Sequence, residues 1–292
     1  MDNVLLPKLA RIVKNEKMTA QEHFLQVEIL DKKIAEGFSY RLGQFIELSV
    51  MGVGEAPFSI CSMQHQKRIL EFCIRAAGRV TSAIVKLEPG SLVGIRGPYG
   101  NGFPMEEMEG SNLVLIAGGL GVAPIRSVLQ YSLKNRAKYR DISFFYGIRT
   151  YDTMLFKTEF CNLLKGGESS GCKFFLSYED LNDKQCLLLK EEYSDRCMGG
   201  VVSKLFEKAE ISPNDTYAVI CGPSIMYKFV VQELTKRDVP PERIVLSLER
   251  RMRCGIGKCG NCIMGDGTSI KYVCKDGPVF TYWDALHTKG ML

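Results

Sequence analysis

The sequence predicts a β-barrel domain, then a doubly wound α/β domain built on a parallel sheet, and finally a small cysteine-rich lobe. In the first hundred residues, short runs of β-forming residues alternate with Gly, Pro and polar turns, which is typical of barrels and sandwiches. From residue 112 onward, strand and helix patterns alternate, as they do in parallel sheets covered by helices. Four cysteines then fall close together near the end of the chain. We therefore expect three parts, with boundaries at 1–108, 109–245 and 246–292.

The first half contains several strand candidates and one helix candidate. The strand candidates are runs such as HFLQVEIL, GQFIELSV, RILEFCIRAAG and GSLVGIRGPYG. The helix candidate is TSAIVKL, where Thr81 or Ser82 offers the side-chain oxygen that caps a helix N-terminus. This half is predicted to be a barrel that carries one short helix.

The second half reads as repeated strand–helix units. NLVLIAGG is a continuous apolar strand, and the segment after it has helical spacing, with Pro124 suited to the first turn. Further strands are predicted in DISFFYGIR, CKFFLSYED, TYAVICGP and the apolar part of PPERIVLSLERRMR. Helices are predicted in DTMLFKTEFCNLLK, VVSKLFEKA and SIMYKFVVQELTKR. The pattern indicates a doubly wound sheet.

Composition excludes several classes of protein. Hydrophobic residues make up 46% of the 292 residues, and charged residues 24%, which is ordinary for a soluble protein with a core. No apolar run approaches the ~18 residues of a membrane span, and the N-terminus does not resemble a signal peptide, so we expect a cytoplasmic protein. A net charge of +5 is too modest to indicate a nucleic-acid binder.

Eleven cysteines is a high number, and in a reducing cytosol clustered cysteines are metal ligands or redox groups more often than disulfides. The four near the end have the spacing Cys254-x4-Cys259-x2-Cys262-x11-Cys274, whose first part matches the plant-type arrangement for a 2Fe–2S cluster. Glycines between them allow the backbone to approach the sulfurs. A structural zinc site and uncoordinated thiols are the alternatives. The other seven are interpreted as small buried hydrophobic residues.

Two glycine turns at the ends of predicted parallel strands indicate a nucleotide site. In LIAGGLGVAPIRS, a strand gives way to a helix whose N-terminus favours a pyrophosphate. CGPSIM follows another strand at the carboxyl edge, where ligands bind to such sheets. Glycine turns also occur for packing reasons alone. The candidate residues are Gly118, Gly119, Gly121, Cys221, Gly222 and Pro223.

The barrel half holds a weaker candidate site for a flavin and its diphosphate. Taken alone, these residues favour a plain structural interpretation, since a capping threonine and a strand arginine need no ligand. Hydrogen bonding to a flavin ring or to a diphosphate at a helix N-terminus is the second interpretation. The candidate residues are Phe58, Ser59, Ile60, Arg75, Gly78, Thr81 and Ser82.

The order of these motifs resembles the ferredoxin-NADP reductase-like superfamily. PFSI, IRAAGRVTS, RGPYGNGF, AGGLGVAP, YGIR, CGPSIM and the final cysteines carry the resemblance over essentially the whole chain. The branch that is most similar consists of electron-transfer subunits with a C-terminal 2Fe–2S cluster. GEAPFSICS, LERRMRCGIGKCGNC and YVCKDGPVFTYWD most resemble the gamma subunits of sulfhydrogenases, which are cytoplasmic nickel–iron hydrogenases. The electron-transfer subunits of anaerobic sulfite reductase and of dihydroorotate dehydrogenase are also similar.

The resemblance implies three cofactors and assigns each candidate residue to one of them. Phe58, Ser59 and Ile60 would line the isoalloxazine of FAD, while Arg75 and the Gly78–Ser82 turn would hold its ribityl diphosphate. The two glycine turns would bind NAD(P)H, and the four clustered cysteines would hold the 2Fe–2S cluster. One departure is that the superfamily has an arginine where this chain has Ala56, and Arg79 is a candidate replacement.

The implied function is that of a diaphorase module that moves electrons between NAD(P)H, FAD and the cluster and passes them to other redox subunits. Flavin links the two-electron chemistry of a nicotinamide to the one-electron chemistry of a cluster, so no acid–base side chain is required. A self-contained reductase that serves a soluble carrier, and a zinc-bearing nucleotide sensor, are the alternatives. Arg149 would favour NADPH, whereas nearby Asp152 would oppose it.

Basic residues flank the cysteines. They would either steer an acidic docking surface or only provide solubility and compensate sulfide charge. These residues are Arg250, Arg251, Arg253, Lys258, Lys271 and Lys275.

Overall fold

The computed structural model describes residues 5–63, 68–267 and 269–292. Its first half has six strands and two short helices. They are β1 (Lys8–Lys17), β2 (Glu22–Ile29), α1 (Lys32–Gly37), β3 (Phe45–Val50), β4 (Gly54–Ser59), β5 (Ile69–Arg75), α2 (Arg79–Ile84) and β6 (Leu92–Tyr99).

The six strands form one antiparallel sheet in the order β4-β3-β6-β1-β2-β5, which confirms the predicted β-structure of the first half, whereas α1 was not predicted. The sheet curls until its two edges meet, where the N–H of Cys61 donates to the carbonyl of Glu71 at 2.9 Å. Alternate residues of the strands point inward because side chains switch faces at every residue. Leu25, Val27 and Ile29 on β2 are examples, and all three are buried in the barrel core.

The helix α2 begins earlier than the sequence predicted. Gly78 is its N-cap residue, in an extended conformation, so neither Thr81 nor Ser82 caps it. Thr81 lies in the first turn instead, and its hydroxyl accepts hydrogen bonds from the N–H groups of Ala77 and Gly78 at 3.0 and 2.8 Å. The side chain reaches back and satisfies amides that precede the helix, because glycine has no side chain to do so.

The second half is an α/β domain that confirms the predicted alternation. Its elements are β7 (Asn112–Gly118), α3 (Val122–Lys134), β8 (Ile142–Ile148), α4 (Lys157–Gly166), β9 (Lys173–Tyr178), α5 (Lys184–Glu192), β10 (Cys197–Gly199), β11 (Thr216–Cys221), α6 (Ser224–Thr235), β12 (Ile244–Ser247) and β15 (Val279–Thr281). The strands form a sheet in the order β10-β9-β8-β7-β11-β12-β15, parallel except for β15 at one edge.

One predicted helix is wrong in type. VVSKLFEKA contains a 3-10 helix at Val202–Glu207 rather than an α-helix. Val202, Leu205 and Phe206 are its buried residues, and a short tight turn with three residues per turn is enough to bury them against the sheet.

The cysteine-rich segment lies between two strands of the large sheet. It contains β13 (Ile263–Asp266), β14 (Ser269–Tyr272) and α7 (Val273–Asp276). A last helix, α8 (Tyr282–His287), follows β15. β13 and β14 form a separate antiparallel hairpin. The β15 strand pairs with β12, so this segment returns to the sheet that it left. In the ranges that the structure describes, no helix is long and apolar enough to cross a membrane.

Candidate functional site

A cleft of about 390 Å³ opens where the barrel, the α/β domain and the segment after β12 meet. Phe58, Ser59, Arg75 and Thr81 of the candidate flavin set line it, together with Cys221 of the nucleotide set. Residues that lie far apart in the sequence therefore share one cavity. Ile60 does not line it, because its side chain is buried in the barrel core.

Arg75 is held in place at the wall of the cleft by a buried carboxylate. Its Nε lies 2.5 Å from Oε1 of Glu22, and the other oxygen of Glu22 accepts a hydrogen bond from the hydroxyl of Thr19. The Glu22 side chain is buried whereas that of Arg75 is partly exposed. The pair therefore fixes one edge of the guanidinium and leaves the residue at the surface of the cleft.

Arg79 lies beside β4, the strand that carries Ala56. A Cβ on Gly54 would lie 3.8 Å from Nη2 of Arg79. Gly54 and Ala56 are two residues apart on β4, so they face the same side of the sheet. A guanidinium is therefore present next to the face on which Ala56 lies.

The two glycine turns pack directly against each other. Strands β7 and β11 are neighbours, so their carboxyl ends bring Gly118 and Gly121 close to Gly222. A Cβ on Gly121 would lie 2.3 Å from the carbonyl oxygen of Cys221, and one on Gly222 would lie 2.4 Å from Cε of Met226. Backbone packing therefore explains Gly121 whether or not a ligand is bound, whereas a Cβ on Gly118 or Gly222 would meet the flexible side chain of Met226.

Gly119 differs from these three glycines. Its φ is +51°, and a Cβ there would meet nothing within 4 Å, so it presents open backbone at the start of the helix that follows β7. The turn after β11 is held by Tyr227, whose hydroxyl donates to the carbonyl of Ser247 at 2.5 Å and accepts from the N–H of Gly222 at 3.3 Å. Burial raises the pKa of the Cys221 thiol to about 12, so it stays protonated.

The four clustered cysteines are brought together as two pairs. The N–H of Cys259 donates to Sγ of Cys254 at 3.4 Å, and the N–H of Cys274 donates to Sγ of Cys262, also at 3.4 Å. In the described part of the chain, no three His, Cys, Asp or Glu side chains could hold a single metal ion. Two pairs suit a cluster of two irons, each with two thiolate ligands.

Backbone amides already point at the sulfurs. The N–H of Gly257 donates to Sγ of Cys274 at 3.0 Å, and Lys258 donates to Sγ of Cys254 at 3.4 Å. Gly255, Gly257 and Gly260 have φ near +75°, which lets the loop turn its amides inward. Burial alone would raise the pKa of Cys254, but hydrogen bonds from backbone N–H groups outweigh it and lower that pKa to about 6. The loop amides therefore favour a thiolate at Cys254, whereas burial raises the pKa of Cys274 to about 12.

The cysteine loop lies on a face of the barrel that contains buried charges. On β6, Arg96 donates to both carboxylate oxygens of Glu55, at 2.9 and 2.6 Å, and to the carbonyl of Cys254 at 3.1 Å. Glu47 on β3 is fully buried, and neither of its carboxylate oxygens has a hydrogen-bond partner. Burial, with the charges of Glu55 and Cys254, raises the pKa of Glu47 to about 7, although Arg96 opposes the rise.

Exposed residues surround the outer end of the cysteine loop. Cys259 is exposed, while Cys262 and Cys274 are buried. Ile263 and Ile270 on the hairpin are exposed apolar residues. Of the six flanking basic residues, Lys271 is half-buried and the others are exposed; Arg250 donates to the carbonyl of Gly290.

Sequence reasoning missed several residues of the cleft. Glu249 lines it just after β12, and desolvation raises its pKa although Arg75 opposes the rise. Its position directly beyond a parallel strand was the signal, because ligands bind at that edge of the sheet. Apolar residues were also missed, and nothing in their pattern distinguishes them from core: Phe45, Leu120, Leu248 and Met252.

Three family models match the chain. Residues 10–103 match an oxidoreductase FAD-binding domain, residues 115–232 an oxidoreductase NAD-binding domain, and residues 249–285 the iron–sulfur cluster binding domain of dihydroorotate dehydrogenase B. Together they cover the three parts that the structure shows around the cleft.

Curated relatives resemble the chain over nearly its whole length. It is 50% identical to sulfhydrogenase 2 subunit gamma of Pyrococcus furiosus over 97% of each chain. It is 42% identical to sulfhydrogenase 1 subunit gamma of the same organism, over 100% of this chain and 96% of that protein. A probable dihydroorotate dehydrogenase B (NAD(+)) electron transfer subunit of Methanocaldococcus jannaschii is 31% identical over 85% of this chain and 81% of that protein.

Solved structures show the same fold. The structure of an NADH-dependent reduced ferredoxin-NADP oxidoreductase superimposes with a TM-score of 0.70 at 24% identity, over 98% of this chain and 93% of that one. A ferredoxin NADP+ reductase from Neisseria gonorrhoeae, with bound FAD and NADP, gives a TM-score of 0.62 at 17% identity, over 78% of this chain and 90% of that one.

The packing of the two glycine turns predicts the effect of Gly121→Ala. The added methyl would collide with the backbone of Cys221, so we expect a loss of about 1–3 kcal/mol in the free energy of unfolding, the usual cost of overpacking. Denaturant unfolding measures this loss. Gly37→Ala is the control, because a Cβ at Gly37 meets nothing within 4 Å. Equal stability of the two variants would contradict the prediction.

The burial of Glu47 predicts a pH dependence of stability. Its pKa rises from 4.5 to about 7 on folding, so its contribution is complete below pH 4.5 and is lost as the pH rises through 7. We expect the denaturant midpoint of the anaerobic holoprotein to fall between pH 5 and pH 8, and to fall less in Glu47→Gln. Identical pH profiles for the two proteins would show that Glu47 does not titrate in this range.

Proposed function

This chain belongs to the family of sulfhydrogenase gamma subunits, and from that premise we propose that its cleft passes electrons between NAD(P)H, FAD and a 2Fe–2S cluster to a partner redox subunit. It carries FAD-binding, NAD-binding and iron–sulfur-cluster-binding domains and is an oxidoreductase subunit. The observation that carries the proposal is that residues of all three domains line the same cleft.

The barrel side of the cleft would hold FAD, which supplies the exchange between two-electron nicotinamide chemistry and one-electron cluster chemistry. Phe58 and Ser59, at the end of β4, would contact its ring. Arg75, anchored on Glu22, and the backbone of the turn from Gly78 to Ser82 would hold its diphosphate, with Arg79 in place of the arginine missing at Ala56. A guanidinium held at one edge by a buried carboxylate needs little reorganisation to bind a phosphate.

The sheet side of the cleft would hold the nicotinamide nucleotide. The backbone from Gly118 to Gly121 would accept its pyrophosphate at the start of α3, and the turn from Cys221 to Pro223 would lie under the nicotinamide. Gly119 has open space for a close approach of the phosphates. The neutral thiol of Cys221 and the surrounding apolar wall would exclude water from the ring.

The four cysteines would hold the cluster as two pairs, Cys254 with Cys259 and Cys262 with Cys274. The backbone N–H groups that point at the sulfurs stabilise negative charge there, which favours the reduced state. Seventeen residues separate the donor Gly257 from its acceptor Cys274, so the fold itself closes the loop around the ligands.

A partner subunit would dock over the exposed end of the cysteine loop. Cys259 is the exposed ligand, and the two exposed isoleucines and the exposed basic residues that flank the cysteines in the sequence would form a rim near it. Such a rim fits an acidic partner surface that brings its own redox centre close to Cys259. This rim favours a subunit of a complex over a self-contained reductase.

We also place the protein in the cytoplasm. All eleven cysteines, each in the part of the chain that the structure describes, are free of disulfide bonds, including seven that lie outside the cluster loop. Free thiols in this number are typical of a reducing compartment.

An anaerobic visible spectrum tests the proposed electron path. We expect flavin bands and broad cluster absorption, both of which bleach on addition of NADH, NADPH or both. Cys259→Ser should lose most of the cluster absorption while its flavin still bleaches, because only a cluster ligand is removed. Cys161→Ser, a cysteine away from the loop, is the matched control and should behave as the wild type. A colourless protein that holds zinc would refute the proposal.

Charge reversal tests the docking rim. The double variant Arg251→Glu/Arg253→Glu should associate about tenfold more slowly at low salt with the redox subunits that co-purify with the wild type, because long-range attraction is reversed. Lys32→Glu/Lys33→Glu on α1, which is exposed and outside the rim, is the control. Wild-type association of the first variant, or no co-purifying subunit, would instead favour a self-contained reductase.

A further inference from the structure

Two arginines are buried at the boundaries that surround the cleft. The side chain of Arg96 is 2% exposed and that of Arg126 is 11% exposed. A guanidinium is costly to bury unless carboxylates and hydrogen-bond acceptors surround it. Each of these arginines has such partners, and each also makes further contacts that charge pairing does not require.

Arg96 joins the barrel to the cluster loop. Its pairing with both oxygens of Glu55 already satisfies its charge, and the hydroxyl of Tyr99 lies 3.0 Å from its Nη1. The additional bond goes from Nη1 to the carbonyl of Cys254, 158 residues away. The buried guanidinium of Arg96, already fixed by Glu55, thus holds the peptide group of Cys254, the first of the proposed cluster ligands.

The same face of the barrel connects the cleft to the loop by packed rings. Phe45 lines the cleft, and it is the cross-strand partner of Tyr99, with ring centroids 5.9 Å apart. A Cβ on Gly255 would lie 2.9 Å from Cδ2 of Tyr99. The backbone next to Cys254 therefore packs on the ring of Tyr99, and Phe45 lies between that ring and the cleft. Arg96 donates both to the hydroxyl of Tyr99 and to the carbonyl of Cys254.

Arg126 joins the α/β domain to the barrel in the same manner. Its guanidinium lies on α3 and pairs with Glu159 of its own domain at 2.7 Å and with Glu71 of the barrel at 3.0 Å. It also donates to the carbonyl of Cys61 at 3.1 Å and lies 4.4 Å from the ring centroid of Phe156. Cys61 lies just beyond β4, the strand that ends at Phe58 and Ser59.

We propose that Arg96 and Arg126 are positioning residues, each for one transfer step. Arg96 sets the position of the cluster loop relative to the flavin cleft, and Arg126 sets the position of the nucleotide domain relative to the flavin barrel. The inference rests on the proposed function. Each arginine spans one boundary only, so the loss of one should leave the other step intact.

Arg96 also acts on the cluster through its charge. Its removal would leave the carboxylate of Glu55 next to the loop without its cation, and negative charge disfavours the reduced cluster. The contacts of Arg126 described above all lie in the barrel and the α/β domain, away from the loop. The reduction potential of the cluster should therefore fall in an Arg96 variant and not in an Arg126 variant.

The experiment compares Arg96→Met and Arg126→Met in the cluster-loaded holoprotein. Stopped-flow absorbance after mixing with NAD(P)H follows two steps: transfer of a hydride to the flavin with release of NAD(P)+, and transfer of one electron from the flavin to the cluster. Redox titration of the cluster by EPR gives its potential. Hydrogen exchange of amides 255–260 reports on the loop without reference to activity.

Arg96→Met should keep the wild-type flavin reduction rate but slow cluster reduction up to about tenfold, because the loop is less well held and the driving force for the electron falls. The reduction potential of its cluster should fall, and a fall of ~59 mV corresponds to a tenfold change in the one-electron equilibrium. Its loop amides should exchange faster than those of the wild type. Arg126→Met should slow only flavin reduction. Wild-type values in both variants, or equal slowing of both steps in each, would overturn the proposal.

Two conservative variants keep the test decisive if a Met variant fails to fold or to retain its cluster. Arg96→Lys preserves the charge but cannot span Glu55 and the Cys254 carbonyl together, so it should slow cluster reduction with a smaller change in potential. Arg126→Lys should slow flavin reduction alone. Wild-type rates in these variants would overturn the proposal. A wild-type protein whose flavin is not reduced by either nucleotide would count against the proposed function instead.

Discussion

The pairing of β12 with two partners is the constraint on which the rest of the site depends. On one side β12 runs parallel to β11, which ends in a glycine turn; on the other it pairs with the returning strand β15, with Ser247 opposite Val279. Residues 249–277 therefore leave the sheet and return to it within one strand spacing, ~4.8 Å. The cysteine loop is therefore an insertion between β12 and β15 at the carboxyl edge of the sheet, where the cleft lies.

The barrel is attached to this excursion by satisfied polar groups as well as by apolar contact. Asn101 follows β6, and its side-chain amide donates to the carbonyl of Val279 at 2.7 Å and accepts from the N–H of the same residue at 3.1 Å. Its own N–H donates to the carbonyl of Gly277 at 2.6 Å. One side chain thus substitutes for a strand partner at the edge of β15, so the barrel and the sheet share a rigid junction below the loop.

Local sequence patterns predicted the sites whose residues are close together in the sequence. They did not predict contacts between residues that are far apart in the sequence. The cysteine spacing and the two glycine turns were readable because each requires particular residues at fixed short separations. The bond from Arg96 to the Cys254 carbonyl was not, since a strand arginine gives no sign of a partner 158 residues later. The apolar residues of the cleft were missed for the same reason. The helix α2 began earlier than predicted because Gly78 takes the N-cap position, and the hydroxyl of Thr81 satisfies the amides of Ala77 and Gly78.

The distribution of buried charge shows where the fold gives up stability. Arg126 and Arg96 have carboxylate partners, whereas Glu47 places both of its oxygens in the interior without a partner, and it is the only carboxylate among the unpartnered buried atoms found in the described residues. A hydrophobic side chain of similar volume would be more stable there. A buried carboxyl without a hydrogen-bond partner, close to the backbone beside the proposed cluster ligand Cys254, is the type of local conflict that folds retain at functional sites. The junction between barrel and loop therefore keeps a buried carboxyl at a cost in stability, as expected where a fold serves a functional site.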